Sequence, residues 1–180
     1  MQCNKRKEGA IVPSFYSRNM ETLKSKIESL LLPKLEEMNL FLVEIVIGAN
    51  YKIQVFADGN PSITIQQCAK LSRFLEAHLD EDASVPENYN LEVSSPGMSN
   101  PLRVPQQFEK RIGSTLKITL NNGELVYLIL QALQEGSLFG LKTKPLPKTK
   151  KPVKAEDSSN LESIEIPLTE IKQALLHFNF

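Results

Sequence analysis

Tryptophan is absent from this 180-residue chain, and cysteine and histidine occur only twice each. Cys3 and Cys68 cannot build a disulfide framework, so the chain is expected in a reducing, cytoplasmic setting. Together with His78 and His177 they could in principle hold zinc, but no pair has Cys-x-x-Cys or His-x-x-x-His spacing, and no metal is expected. The eight glycines are dispersed. Neither G-x-G-x-x-G nor G-x-x-x-x-G-K-[ST] is present, so no phosphate cradle and no nucleotide cofactor is expected. Ser94-Ser95-Pro96-Gly97 lacks the glycines that flank the serine of a nucleophile elbow. The longest apolar run, residues 40–47, is broken by Glu44 and is too short to cross a membrane. Lys5, Arg6 and Lys7 are not followed by the apolar core of a signal peptide.

What remains is ordinary for a soluble globular protein, 41% hydrophobic and 23% charged. The net charge of zero hides an uneven distribution. Residues 1–19 carry four Lys/Arg against one Glu, net +3; residues 20–99 carry six against twelve acids, net −6; residues 100–180 carry eleven against eight, net +3. Two halves of opposite sign attract one another or face partners of different sign.

Residues 1–19 show no periodicity and are expected to be a disordered extension; Met20, directly before the first helical pattern, is a candidate translation start. Leu23, Ile27, Leu30, Leu31, Leu35 and Met38 have helical spacing. Pro33 should kink or split that helix, and Asn39 suits a left-handed cap. Residues 40–47 and 51–57 read as strands around Gly48-Ala49-Asn50, with a loop at residues 58–61. Thr64-Ile65-Gln66-Gln67 fits a capping box before a helix that buries Cys68, Leu71, Leu75 and Leu79. A cysteine on that stripe reads as core, not as a nucleophile. The acidic Asp80-Glu81-Asp82 opposes the helix dipole, so that end should fray. It and Glu36-Glu37 read as solvated surface. Residues 89–95 give a third strand, and the order is α-β-β-α-β in two layers.

The most informative stretch follows. Leu91 and Val93 alternate with Glu92 and Ser94, then Pro96-Gly97 stops the strand and suits the centre of a type II turn, with Gly97 at positive φ. Pro101 stiffens the exit. A strand end, a rigid turn and a second restricted step would fix the angle between two domains, 20–99 and 100–180. Beyond Pro101 come Phe108, Ile112 and Gly113, then alternating Leu116, Ile118 and Leu120. Asn121-Asn122-Gly123 is a strong hairpin signal. Residues 124–133, 138–143 and 163–166 read as further strands. Residues 144–160 form a polar, Pro-rich loop. Several short strands with turns between them indicate a small β-barrel. The last stretch stays ambiguous: Leu168, Ile171 and Leu175 have helical spacing, whereas Ala174, Leu176 and Phe178 have strand spacing.

The basic feature is Lys142, Lys144, Lys148, Lys150, Lys151 and Lys154, interleaved with Pro145, Pro147 and Pro152. Prolines hold such a segment extended, and extended lysines suit a phosphate backbone. A solvated loop explains the same residues equally well, because no aromatic is interleaved to stack a base.

Leu91-Glu92-Val93-Ser94-Ser95-Pro96-Gly97, followed by Pro101-Leu102, resembles the signature of the bacterial ribosome maturation factor RimP family. The resemblance covers residues 20–180 and includes the Pro33 helix, Asp58, Thr64, Cys68, Tyr89, Phe108, Arg111, Gly113, Ile166 and Ile171. It implies an α+β protein, an N-terminal α-β-β-α-β domain followed by an SH3-like (Sm-like) barrel. In that barrel a helical turn at residues 168–171 precedes a closing strand at about residues 173–178. It implies a cytoplasmic, non-enzymatic assembly factor that binds the free 30S small ribosomal subunit and promotes its maturation. The partners would be a basic ribosomal protein near the decoding region, complemented by the acidic first domain, and rRNA backbone. No membrane partner is implied, and a monomer is expected. The motif residues are Ser94, Ser95, Pro96, Gly97, Pro101 and Leu102. Candidate rRNA contacts are Arg103, Lys110, Arg111 and the six lysines above. Met98-Ser99-Asn100 stands where the family commonly has Leu-Asp-Arg, and Arg103 could substitute for that arginine. An Sm-like RNA-binding regulator is the alternative.

Overall fold

A computed structural model describes residues 14–48, 51–83, 85–86, 88–144 and 161–177, with side chains from residue 20 onward. The chain divides into two compact units, Met1–Phe56 with Thr64–Ser94, and Ala57–Ile63 with Ser95–Phe180.

In the first unit, helix α1 (Ser14–Glu37) turns Leu23, Ile27, Leu31 and Leu35 onto one buried stripe. It begins inside the stretch expected to lack structure, so that expectation does not hold for residues 14–19. Nor does Pro33 split it. Pro33 is exposed and stands near the end, so its ring meets solvent and only one bond of the ladder is forgone. Asn39, at φ 53°, takes the left-handed conformation that turns the chain into strand β1 (Leu40–Ile47). Strand β2 (Lys52–Gly59) follows, running two residues further than its apolar pattern suggests.

Helix α2 (Ile65–Asp80) opens on the expected capping box: the Thr64 hydroxyl accepts the Gln67 N–H at 3.2 Å, and the Gln67 amide oxygen accepts the Thr64 N–H at 2.9 Å. Leu71, Leu75 and Leu79 are buried, whereas Cys68 is only partly so. Burial pushes the Cys68 thiol above its ordinary value, which keeps it protonated. The acidic end of α2 is held rather than loose. Asp82 accepts the Lys26 ammonium at 2.5 Å, and Asp80 accepts the Tyr89 hydroxyl at 2.9 Å. Strand β3 (Asn90–Ser94) then pairs parallel with β2, from Lys52 opposite Asn90 to Phe56 opposite Ser94, in a sheet of order β1-β2-β3.

The second unit contains the short helix α3 (Pro105–Glu109) and strands β4 (Thr115–Leu120), β5 (Leu125–Gln134), β6 (Ser137–Thr143), β7 (Ser163–Pro167) and β8 (Ile171–Leu176). Its sheet runs β7-β6-β5-β4-β8, every neighbour antiparallel. Asn121-Asn122-Gly123 makes the expected tight turn, with Gly123 at φ 88°. Glu135 and Gly136, both at positive φ, form the next hairpin, as a type I′ turn requires. Leu116, Ile118, Val126, Leu128, Leu130, Leu138, Ile166 and Ala174 fill one face of the sheet, and Phe108 of α3 packs among them. A Cβ on Gly140 would lie 2.2 Å from the Ile129 carbonyl oxygen, so this central strand accepts no side chain there.

The closed barrel expected from the strand pattern is not what the pairing shows. β7 and β8 are the two ends of the ladder, and among the described residues nothing pairs one to the other. β7 ends on Pro167, which has no N–H to donate, and a 3₁₀ turn at Leu168–Glu170 carries the chain across to β8. That turn is expected on the resemblance; β8 starts two residues before its expected position.

Candidate functional site

The Ser-Pro-Gly motif leaves the end of β3 with Ser94 half-buried and Ser95 exposed. Its turn lies two residues beyond the expected place. The Asn100 N–H reaches the Gly97 carbonyl at 2.9 Å, so Gly97 opens the turn instead of occupying its centre. Gly97 is not among the positive-φ glycines, and a Cβ there would meet only the Asn100 amide nitrogen at 3.8 Å. The strained type II geometry read from the sequence is therefore absent. Proline at 96 and small residues at 97 and 99 fit the observed turn equally well, which is why sequence alone does not separate the two.

Pro101-Leu102 has a definite task. The Leu102 N–H donates to the Ala174 carbonyl at 2.8 Å on the outer edge of β8, and the Leu102 side chain packs against the apolar core of this unit. Helix α3 follows at once. The buried Gln107 turns its amide oxygen back to the N–H groups of Arg103 and Val104, at 2.7 and 3.3 Å, and so ties the chain that enters α3 to its first turn.

Among the described candidate cations Lys110 is placed differently from the rest. Its ammonium donates to the Asp58 carboxylate at 2.6 Å and to the Gly59 carbonyl at 2.9 Å, while the other Asp58 oxygen accepts the Gly59 N–H at 2.9 Å. The side chains are 8% and 10% exposed. A desolvated lysine bound to a carboxylate is not offered to a phosphate, so Lys110 leaves the set of candidate rRNA contacts. Its partner is 52 residues away in the chain, and no local pattern announces it.

The remaining candidates are dispersed. Arg103 is exposed and borders a groove of about 490 Å³ with Lys172, over a floor that includes Phe108 and Ile171. Arg111 is half-buried beside the Lys110–Asp58 pair. Lys142 and Lys144 are exposed at the end of β6. Lys148, Lys150, Lys151 and Lys154 lie outside the described residues. In the first unit, exposed carboxylates stand along both helices: Glu21, Glu28, Glu36 and Glu37 on α1, Glu76 and Asp80 on α2. Among the described residues no cluster of three His, Cys, Asp or Glu could hold a metal ion, and no helix is long and apolar enough to cross a membrane. The arrangement is chemically one of surfaces for binding, acidic on one unit and with several exposed basic side chains on the other.

Comparison with known proteins assigns the family. Residues 30–99 match the RimP N-terminal domain. A ribosome maturation factor RimP of Christiangramia forsetii is 32% identical over 162 residues, spanning 88% of this chain and 99% of its own length. One from Cytophaga hutchinsonii is 36% identical over 152 residues, spanning 81% and 89%. Similarity over nearly the whole length of such a relative means that both units are shared, and the chain belongs to the ribosome maturation factor RimP family.

Proposed function

We propose that this protein is a non-enzymatic, cytoplasmic assembly factor that binds the free 30S small ribosomal subunit and promotes its maturation. The observation that carries the reading is the near full-length similarity to proteins named ribosome maturation factors. The surfaces support it. The carboxylates on α1 and α2 complement a basic ribosomal protein near the decoding region. Arg103, Arg111, Lys142 and Lys144, with Lys148, Lys150, Lys151 and Lys154, complement rRNA backbone. An SH3-like reading of the second unit is supported by its strand order, which returns the last strand beside the first after a 3₁₀ turn. The protein acts as a monomer in this reading. Residues 20–99 and 100–180 act together, because two linked weak contacts gain from effective concentration.

A factor of this kind works by mass action. Binding one transient assembly state and not its competitors stabilises that state by RT ln(1 + [L]/Kd), about 2.7 kcal/mol at a hundredfold excess over Kd. A strain lacking the protein should live but accumulate unprocessed small-subunit rRNA and free subunits, most visibly during fast growth. Northern analysis of precursor rRNA and subunit ratios check this; normal processing with a normal ratio overturns the reading. Full rescue by residues 20–99 alone would remove the two-unit mechanism.

A further inference from the structure

The outer face of the second unit's sheet holds a feature that the sequence conceals. Along β4 and β5 the buried residues alternate with half-exposed ones, so Lys117 and Tyr127 face away from the core. The register sets them directly opposite each other: Thr143 on β6, Tyr127 on β5, Lys117 on β4 and Leu175 on β8 form one row across four strands. The next row holds Leu141, Ile129 and Thr115, and the His177 N–H donates to the Thr115 carbonyl at 2.9 Å, extending the edge by one residue. The Tyr127 and His177 rings meet edge to face, with centroids 5.0 Å apart. Two aromatic rings and an ammonium thus share one side of the sheet. No carboxylate stands in either row.

We propose that Tyr127, His177 and Lys117 form a stacking platform for one or two unpaired bases of single-stranded RNA. The proposal rests on the small-subunit reading above and adds to it the class of RNA recognised. Aromatic faces stack any base without regard to sequence, and a lysine on the same face meets the backbone or the π-face. Charge favours a nucleic acid over an apolar or basic peptide. Lys117 stands in the aromatic row and no Asp or Glu stands in that row or the next, whereas Lys142, opposite the core residue Leu128, alternates onto the other face and adds nothing here. The platform prefers unpaired RNA because a duplex keeps its bases stacked on one another and presents only backbone.

The test titrates the full chain with an eight-nucleotide oligoadenylate and, separately, with a blunt RNA duplex, following the ring resonances of Tyr127 and His177 by NMR. Both should move upfield with the single strand and stay in place with the duplex. Tyr127→Leu, which keeps apolar bulk on the face, should weaken oligoadenylate binding about tenfold, while Tyr127→Phe should stay within about twofold. Lys117→Gln should lower the salt slope by about one unit. Unmoved ring signals in the wild type overturn the platform, with no need for any variant to fold. So does a folded Tyr127→Leu protein with unchanged affinity, or a ring response to a basic peptide in place of RNA. Failure here with wild-type binding to small subunits intact removes the platform alone. Failure of the wild type to bind small subunits removes the assembly-factor reading, whatever the oligonucleotide does.

Discussion

The two units handle charge differently. In the first, every described ion pair keeps its ammonium at least partly in water: Lys34 and Glu37 are 30% and 65% exposed, Lys52 and Glu92 are 52% and 49% exposed, and Lys26, 51% exposed, reaches an Asp82 that is 10% exposed. Such pairs contribute about 0–1 kcal/mol, so this surface can exchange them for a partner's charges at small cost. In the second unit the Lys110–Asp58 pair is withdrawn from solvent and its polar atoms are met on both sides. A buried pair is costly to break and adds little compared with an apolar replacement. The lesson is that a lysine's sign in the sequence says nothing of its use. Lys110 is committed to the fold, and Lys142 and Lys144 are offered outward.

That contrast predicts unequal losses. Lys110→Met, leaving Asp58 buried and unpaired, should cost about 3–5 kcal/mol in denaturant unfolding. Adding Asp58→Asn, which keeps an acceptor for the Gly59 N–H, should recover most of it. A double variant as unstable as the single one would mean that the pair is not what holds this region. In the first unit the Thr64 cap opens α2, and Thr64→Ala should cost about 1 kcal/mol.

A smaller effect depends on pH. Burial, then the hydrogen bond to Asp80 and its charge, push the Tyr89 phenol from 10.0 up to about 12. The hydroxyl donates only while protonated. Its contribution is whole below the unfolded value near 10 and is lost as pH rises through about 12. Tyr89→Phe should flatten the stability–pH curve in that window; an unchanged slope would assign the loss to other groups. The smallest effect belongs to the motif itself. With ordinary φ and open space around it, Gly97→Ala should change stability by no more than about 0.5 kcal/mol. Gly123→Ala, at φ 88°, should cost about 1–2 kcal/mol. Equal losses would restore the strained turn to residue 97.

Local chemistry explains which parts of the fold were legible beforehand. Thr64 and Gln67, Asn39, and Asn122-Gly123 each act on backbone within four residues, so their meaning is complete in the sequence. Pro33 leaves a kink or a break open in the sequence, and the folded chain excludes the break because the helix runs on to Glu37. Gly97 misleads because an adjacent turn uses the same residues. Two features needed the folded chain. Lys110 meets an aspartate that no periodicity connects to it. Tyr127 and His177 become neighbours only through the pairing of β4 with both β5 and β8. Sheet registers between distant strands are long-range facts, and the surfaces they assemble are invisible to a local reading.

A protein that recognises a small subunit still being assembled should tell free particles from joined ones. The direct measurement is co-sedimentation of the purified full chain with free 30S subunits and, in parallel, with joined 70S ribosomes, over a series of salt concentrations. Binding to the free subunit should weaken as salt rises, with little protein travelling with joined ribosomes. Equal binding to both particles, or none to the free subunit at low salt, would contradict it.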